Sequence, residues 1–412
     1  MWFQAKFTSL RAQALLLMGG LTLLTIVGTV GMYFFDYRFF SLTTNDWSKG
    51  EKAHRVRIAF EEYLQNVHHE IHKEDVWEFC SQKSFDKAFI TSTEQRYENI
   101  TTGGIGQVFI AANLYNSENI LPNMALQLLA LADTLGHSRV FISIYENGSK
   151  DKTKEILGRF NSTLNTLGIA HQIRTDEARR PEHIHRIEYL AKVRNLALEP
   201  LYSTGKKYDR VLFINDIFFC MNDLLELAYQ SRAQSTHLTC AEDIVTMHGW
   251  LGFYDNWVAR DMRGQKLQHQ LNWLSQDEIT QQAQLKNRPF QVQCCWNGVA
   301  LIDAQVFRGD DGLRFRRSAE GECSASECSL LCNDMWKRGL RRAIIVPRVK
   351  VSYDIETRNK LRETANFPAD LPYNTPEDEK VSFRSGPDKV VCYPLNDIDS
   401  DKPDNRPVYV DI

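Results

Sequence analysis

Apolar positions along this chain take three forms: short unbroken runs, stripes at helical spacing, and one long uncharged block. QVFIAAN (107–113), RVFISIY (139–145) and DRVLFINDIFF (209–219) are short runs with the composition of strands buried on both faces. Between them lie helical stretches at 117–135, DKTKEILGRFNSTLNTLG (151–168) and RIEYLAKVRNLALEPLYS (186–203). In the last, Ile187, Leu190, Val193, Ala197 and Leu201 fall near helical spacing. HQIRT (171–175) predicts a further short strand. Strands alternating with helices predict an α/β fold: a mixed, mostly parallel sheet with helices on both faces. Ligands of such sheets bind beyond the carboxyl ends of the strands, where Asn215 and Asp216 follow VLFI.

After Asp223 the alternation loosens. HLTCAEDI (237–244) predicts a strand ending in acids, and QVQCCWNGVALIDAQVF (291–307) contains another. SECSLLCNDMWKRG is helical and RRAIIVPRVKVSY extended. The tail beyond Asp354, punctuated by Pro368, Pro372, Pro376, Pro387 and Pro394, is expected to be mostly loop.

The long block, Ala12 to Phe35, carries no charge and has the length that spans a bilayer as a helix, roughly 17–25 residues. Lys6 and Arg11 precede it, which predicts a cytoplasmic tail at 1–11 and a lumenal remainder. A cleaved signal peptide is the competing reading. Its apolar region is shorter and ends in small residues, whereas this block ends in Tyr33-Phe34-Phe35. Residues 36–104 are polar and irregularly helical, as in a stem, and His68, His69 and His72 are expected on a solvated helix face. The predicted main domain spans 105–355, with an extension at 356–412.

Composition changes the picture in two ways. Lys+Arg of 49 against Asp+Glu of 52 gives a net charge of -3, and no basic stripe interleaved with aromatics appears, which argues against nucleic acid as a partner. Nine cysteines can pair in an oxidising compartment, and the odd count leaves at least one unpaired. Cys323, Cys328 and Cys332 match no familiar zinc spacing, so disulfides or buried thiols are expected. Sequons occur at Asn99, Asn147 and Asn161.

The acids suit chemistry with a diphosphate leaving group. A Mn2+ or Mg2+ ion held by one or two carboxylates neutralises charge as the bond to a sugar breaks. Asp216 is the candidate metal ligand, Asp243 the assisting acid, and Arg194 a candidate phosphate contact.

Seven ordered segments carry a family resemblance: FIAANLYNSENILPNMALQLLAL, FISIYENGSKDKT, RIEYLAKVRNLALEPL, VLFINDIFFC, FYDNWVARD, CCWNGVALIDAQVF, and SECSLLCNDMWKRG followed by VPRVKVSYD. Over roughly 105–355 the chain resembles the fungal capsule-associated α-1,3-mannosyltransferases of glycosyltransferase family 69. The resemblance implies a GT-A-type, Rossmann-like nucleotide-sugar fold behind a single type II membrane anchor in the Golgi. It further implies α-mannosyl transfer from GDP-mannose to a glycan, with retention and a divalent cation.

Carried across, YENGSKDKT resembles the loop that holds the donor nucleotide, with Glu146, Ser149 and Asp151 as its polar members; a turn and helix cap is the alternative. A glycan on Asn147 would obstruct that nucleotide, so Asn147 is expected to be unmodified. Arg194 and Asn215 fall in the diphosphate region, although a surface helix arginine has the same sequence signature. The family's Asp-x-Asp position holds Asn215-Asp216-Ile217, with one carboxylate in place of two. Asp354 stands near the place of a strand-terminal metal ligand, where a strand cap would serve equally. Asp255, Asp261, Trp296 and Asn297 resemble an acceptor site, with a core tryptophan as the alternative for Trp296. Glu327 opens a helix and would orient the attacking hydroxyl, or simply complement the helix dipole. A UDP-sugar transferase and a non-catalytic glycan-binding scaffold are the rival functions.

Overall fold

The apolar runs at 107, 139 and 209 form neighbouring parallel strands. In this computed structural model, which describes residues 47–73, 80, 87–177, 179–309, 311–364, 373–397 and 403–412, they are β1 (Val108–Leu114), β2 (Val140–Asn147) and β4 (Arg210–Ile214). With β3 (Ala170–Asp176), β5 (Leu238–Met247), β7 (Phe290–Val292), β8 (Val299–Asp303) and β9 (Ala343–Ser352) they make one sheet in the order β3-β2-β1-β4-β8-β5-β9-β7. A ninth strand, β6 (Trp250–Phe253), pairs with β5. β1 to β5 and β9 run one way; β6, β7 and β8 run against them. The sheet is therefore mixed and mostly parallel.

Helices cover both faces because both faces are apolar. Val108, Ile110 and Ala112 of β1 enter one core, while Phe109 and Ala111 enter the other. The first core takes α1 (Trp47–His72), α3 (Leu121–Leu135), α4 (Thr153–Leu167) and α6 (Met221–Ala233). The second takes α5 (Arg186–Ser203) and α8 (Glu327–Lys337). α2 (Lys87–Asn99), α7 (Glu278–Leu285) and α9 (Ile355–Glu363) complete the helices of the described residues.

Three expectations change. The segment 291–307 yields two strands broken at Asn297-Gly298, both with left-handed backbone, φ 51° and 77°. β5 does not end at its acids but continues to Met247, so Glu242 and Asp243 lie within the strand. The histidines of α1 are not all on a solvated face: His68 is fully buried beside Leu64 and Val67, because one side of this helix packs on the domain.

The chain divides into Met1–Arg55 and a larger unit, Val56–Ile412. The apolar block at 12–35 lies outside the described residues, and no helix among the described residues is long and apolar enough to cross a membrane. The tail contributes a two-stranded sheet, β10 (Lys389–Cys392) with β11 (Val408–Asp411).

Four disulfides form: Cys80–Cys220, Cys240–Cys295, Cys294–Cys332 and Cys323–Cys392, leaving Cys328 as a buried thiol. The adjacent Cys294 and Cys295 thereby fasten α8 and β5 to one turn.

A buried ionic cluster joins α2, α6 and the tail. Arg96 donates to Glu226 at 2.7 and 2.8 Å and to Glu379 at 2.8 Å, while Tyr97 and Gln230 also donate to Glu226. Removing one partner strands buried charge, at a cost of about 3–5 kcal/mol. Arg96→Ala should therefore lower the urea-unfolding free energy by about that amount. A loss within a few tenths of a kcal/mol would show the cluster to be unimportant.

Candidate active site

The carboxyl ends of β1, β2, β4 and β5 face one edge, and the turns there collect most of the predicted site. Its centre is an ion pair. Arg194, buried on α5, donates from Nε to Glu327 Oε1 at 2.8 Å. Glu327 is the first residue of α8, after the N-cap Ser326, and is itself buried. The guanidinium lies 5.0, 4.8 and 5.6 Å from the ring centroids of Phe213, Trp296 and Phe315. Its Nη1 donates to Asn215 Oδ1 at 3.3 Å, and Trp296 Nε1 donates to the same oxygen at 3.2 Å. Asn215 is thus fixed at the end of β4, with its N–H donating to the carbonyl of Gly298.

Asp216, the next residue, is exposed to solvent. Among the described residues no side chain is seen donating to its carboxylate. Surrounding protein raises its pKa above the usual carboxylate range; its own backbone amide and then Arg194 pull it back.

Two further acids sit deeper. Asp243 is fully buried in β5 and both its oxygens are occupied: Oδ1 accepts from the Asp255 N–H and Oδ2 from the Tyr353 hydroxyl, each at 3.1 Å. Burial, and then the charge of Asp255, push its carboxyl well up. Asp255 Oδ2 accepts from the Asn297 N–H at 3.2 Å, and burial pushes its carboxyl up to about 7 against the backbone bonds that favour the anion. The pair holds a proton near neutrality, since two nearby buried carboxyls cannot both ionise cheaply.

Glu146 and Asn113 stand near the ends of β2 and β1, where Asn113 pairs in register with Tyr145. Glu146 Oε1 accepts from the Ser149 N–H, while its Oε2 pairs with Lys154 Nζ at 3.9 Å without a hydrogen bond, and Asn113 Oδ1 is buried with no hydrogen-bond partner among the described residues. A buried acceptor without a hydrogen bond is costly unless a ligand supplies a donor. Ser149 Oγ accepts from the Asn116 N–H, and Asp151 accepts from Glu118 and Thr153 N–H groups, so these two side chains brace the loop. Asn147 is buried at the strand end.

Several expectations need correcting. Arg194 and Glu327 contact each other, so Arg194 is no free phosphate hook and Glu327 no free carboxylate. Trp296 is 2% exposed with Phe213 and Phe315 packed on its ring, which makes it a core residue and not a sugar platform. Asn297 is fully buried and ties its Nδ2 to the Ala241 carbonyl at 2.7 Å. Asp261 is also buried, accepting from Arg263 and Gln265 N–H groups and from Ser275. Asp354 caps α9 through Thr357. Glu242 pairs with Lys350, opposite it in β9.

Sequence reasoning missed Tyr353, Tyr254 and Asn113. Tyr353 holds Asp243, and Tyr254 packs over it at a centroid distance of 5.0 Å while remaining 52% exposed. An exposed ring beside carboxyls is the usual signature of a sugar contact; its proximity to Tyr353, far along the chain, carried no local signal. Asn113 closes an otherwise apolar strand, and that polar break was the available clue.

A family model described as cryptococcal mannosyltransferase 1 matches residues 107–334. The α-1,3-mannosyltransferase CMT1 of Cryptococcus neoformans var. neoformans serotype D is 28% identical over 350 residues, covering 76% of this chain and 73% of its own. Among solved structures, the mannosyltransferase PcManGT of Pyrobaculum calidifontis, in complex with GDP-Man and Mn2+, is 12% identical with a TM-score of 0.37, covering 64% of this chain and 65% of that one. TarS 1-349 of S. aureus, in complex with UDP, is 13% identical with a TM-score of 0.37, covering 60% of each chain. This chain thus spans under two thirds of both solved chains, and similarity so distant carries no weight for the site. The family match covers more than half of the sequence: this chain belongs to the cryptococcal mannosyltransferase 1 family and is a hexosyltransferase.

Proposed function

We propose that the chain is a GT-A-type enzyme transferring α-mannose from GDP-mannose to a glycan hydroxyl, in α-1,3 linkage and with retention, assisted by Mn2+ or Mg2+. The observation that carries this reading is the accessible, unclaimed carboxylate of Asp216 at the end of β4, beside a proton-holding pair, Asp243 and Asp255. Membrane attachment through 12–35 with the main unit in the Golgi lumen belongs to the same proposal. Four disulfides support an oxidising compartment.

The donor set limits how a cation is held. Among the described residues no three His, Cys, Asp or Glu side chains group as ligands. Asp243 does not fit as second ligand, because both its oxygens accept hydrogen bonds from the protein. Asp216 alone fits the mode in which one carboxylate shares the ion with substrate phosphates and water. When bound, the ion supplies neutralisation of the diphosphate charge.

The remaining roles belong to the chain. Glu146 Oε2 and Asn113 Oδ1 accept N–H or O–H groups of the nucleoside. The Arg194–Glu327 pair holds Asn215 and hence the backbone at Asp216. Tyr254 offers its exposed face to a sugar ring. Asp255 takes the proton of the acceptor hydroxyl as that oxygen bonds the anomeric carbon from the same face the diphosphate leaves, which keeps the α configuration. The bond from that carbon to the diphosphate breaks, and its electron pair leaves with GDP. A general base working near its own acidity constant contributes about 10²–10⁴-fold.

Asp216→Asn should lower mannosyl transfer about 100-fold or more with folding unchanged. Turnover of the wild type with GDP-mannose, and not with UDP-glucose or UDP-xylose, is the expected donor profile. Intact turnover in the variant would refute the role of Asp216, and no turnover of the wild type with any donor would favour the scaffold.

The raised acids set opposite pH trends. Folded Asp255 keeps its proton up to about 7 whereas the unfolded group loses it near 3.9, so its stabilising effect is complete below that lower value. That effect fades as pH rises through about 7. Transfer needs the ionised base and should rise over the same interval. Activity and melting temperature between pH 5.5 and 8.5 should therefore move in opposite directions, and Asp255→Asn should flatten both. Parallel trends, or an unaltered profile in the variant, would contradict the assignment.

A further inference from the structure

A cavity of about 1080 Å³ lies between the outer side of α8, the 316–326 loop, the turn at Trp257 and the β10–β11 sheet. We propose that it binds the already-built part of a neutral oligosaccharide acceptor, several sugar residues back from the attacking hydroxyl. This rests on the glycan-transfer reading above and extends it to a second binding region.

Continuity with the site is the first argument. Asp255 is two residues from Trp257, and Glu327, at the start of α8, is two residues from Ser329. Along α8, Ser329, Asn333 and Lys337 recur every fourth residue and line the cavity as one stripe. At 1.5 Å per residue, the ten residues from Glu327 to Lys337 span about 15 Å. The groove therefore starts at the catalytic edge and leads away from it.

Its chemistry is the second argument. Trp257 and Tyr393 line it, with the Trp257 indole anchored on the Tyr393 carbonyl at 2.9 Å, and Tyr409 stands 57% exposed at its wall. Aromatic faces interleaved with amides match the apolar faces and hydroxyls of sugars. Gln293 is 1% exposed and donates to Asn333 Oδ1 at 3.1 Å, yet its Oε1 has no hydrogen-bond partner among the described residues. That oxygen is an acceptor waiting for a hydroxyl.

Charge decides against an anionic polymer. Its lining balances the cations Arg260, Arg316 and Lys337 against the acids Glu320, Glu322 and Asp411; Arg316 is held by Glu322 and Asp334, and Arg260 donates to the Val391 and Ala259 carbonyls. Rigidity favours a built site: Cys323–Cys392 ties the loop to β10, and Cys294–Cys332 ties the floor to α8. A preformed wall spends little of its interaction energy on ordering.

The test is binding of methyl α-mannoside and of α-linked mannotetraose to the full chain in detergent, by calorimetry in the presence of GDP. The wild type should bind the tetrasaccharide at least about tenfold more tightly, about 1.4 kcal/mol, and Tyr409→Ala should lose most of that gain without altering binding of the monosaccharide. Equal affinity for the two sugars in the wild type, or an unchanged gain in the variant, would overturn the proposal. The readout is binding, so it stands apart from whether GDP-mannose proves to be the donor: a chain that transfers nothing from GDP-mannose but shows the length dependence supports the groove and refutes the proposed donor. Because Tyr409 is exposed, its truncation leaves the fold intact, and an unchanged melting temperature checks this.

Discussion

The buried pair of Arg194 and Glu327 is the contact on which the site depends. It joins α5 to the start of α8, residues 133 apart in sequence, and through Asn215 it fixes the end of β4. Three aromatic rings surround the guanidinium, so the charge is stabilised by the ring faces as well as by the carboxylate. A pair of this kind adds little net stability over an apolar core, but loss of either member leaves the other charge buried and alone. Its consequence for function is subtraction. Glu327 is spoken for, and Asp216 becomes the accessible carboxylate of the edge.

Charge crowding explains the rest. Asp216, Asp243 and Asp255 all act on Tyr353 and Tyr254, with Arg194 as the cation that tempers Asp216 and Asp255. Low-dielectric surroundings make that excess negative charge expensive, and the protein answers by keeping a proton on the inner pair. On the proposed mechanism, proton and cation roles are separated in space: the inner acids accept from Tyr353 and backbone N–H groups, and the outer acid is left for a ligand. Disulfides from Cys294 and Cys295 hold β5 and α8 to one turn, which keeps this division fixed.

Much of the fold was legible because the strands of the parallel half are continuous apolar runs and the helices between them have caps and stripes. β4 falls within the run that predicts it, and β1 and β2 match theirs to within one or two residues at their ends. The second half was harder, since QVQCCWNGVALID contains two short antiparallel strands whose break depends on left-handed Asn297 and Gly298. Asp216 and Asp243 were legible as acids near strand ends, and Asp255 only through the resemblance of FYDNWVARD; the structure brings the three to one edge. Partnerships were not legible: nothing near Arg194 in sequence announces Glu327, and nothing near Trp296 announces that Phe213 and Phe315 will cover it. Asp261 and Asn297 were expected as sugar ligands through the motifs FYDNWVARD and CCWNG; only tertiary contacts show Asn297 tied to Ala241 of β5 and Asp261 to Ser275 and its own turn.

On the proposed reading the edge offers a cation one carboxylate, Asp216, so that ion and diphosphate bind together. Mn2+ titration followed by electron paramagnetic resonance, on the full chain with and without GDP, checks this. Weak Mn2+ binding alone and at least about tenfold tighter binding with GDP, a gain that Asp216→Asn abolishes, is the expected result. Equal Mn2+ affinity with and without GDP, or a gain that survives in the variant, would contradict it.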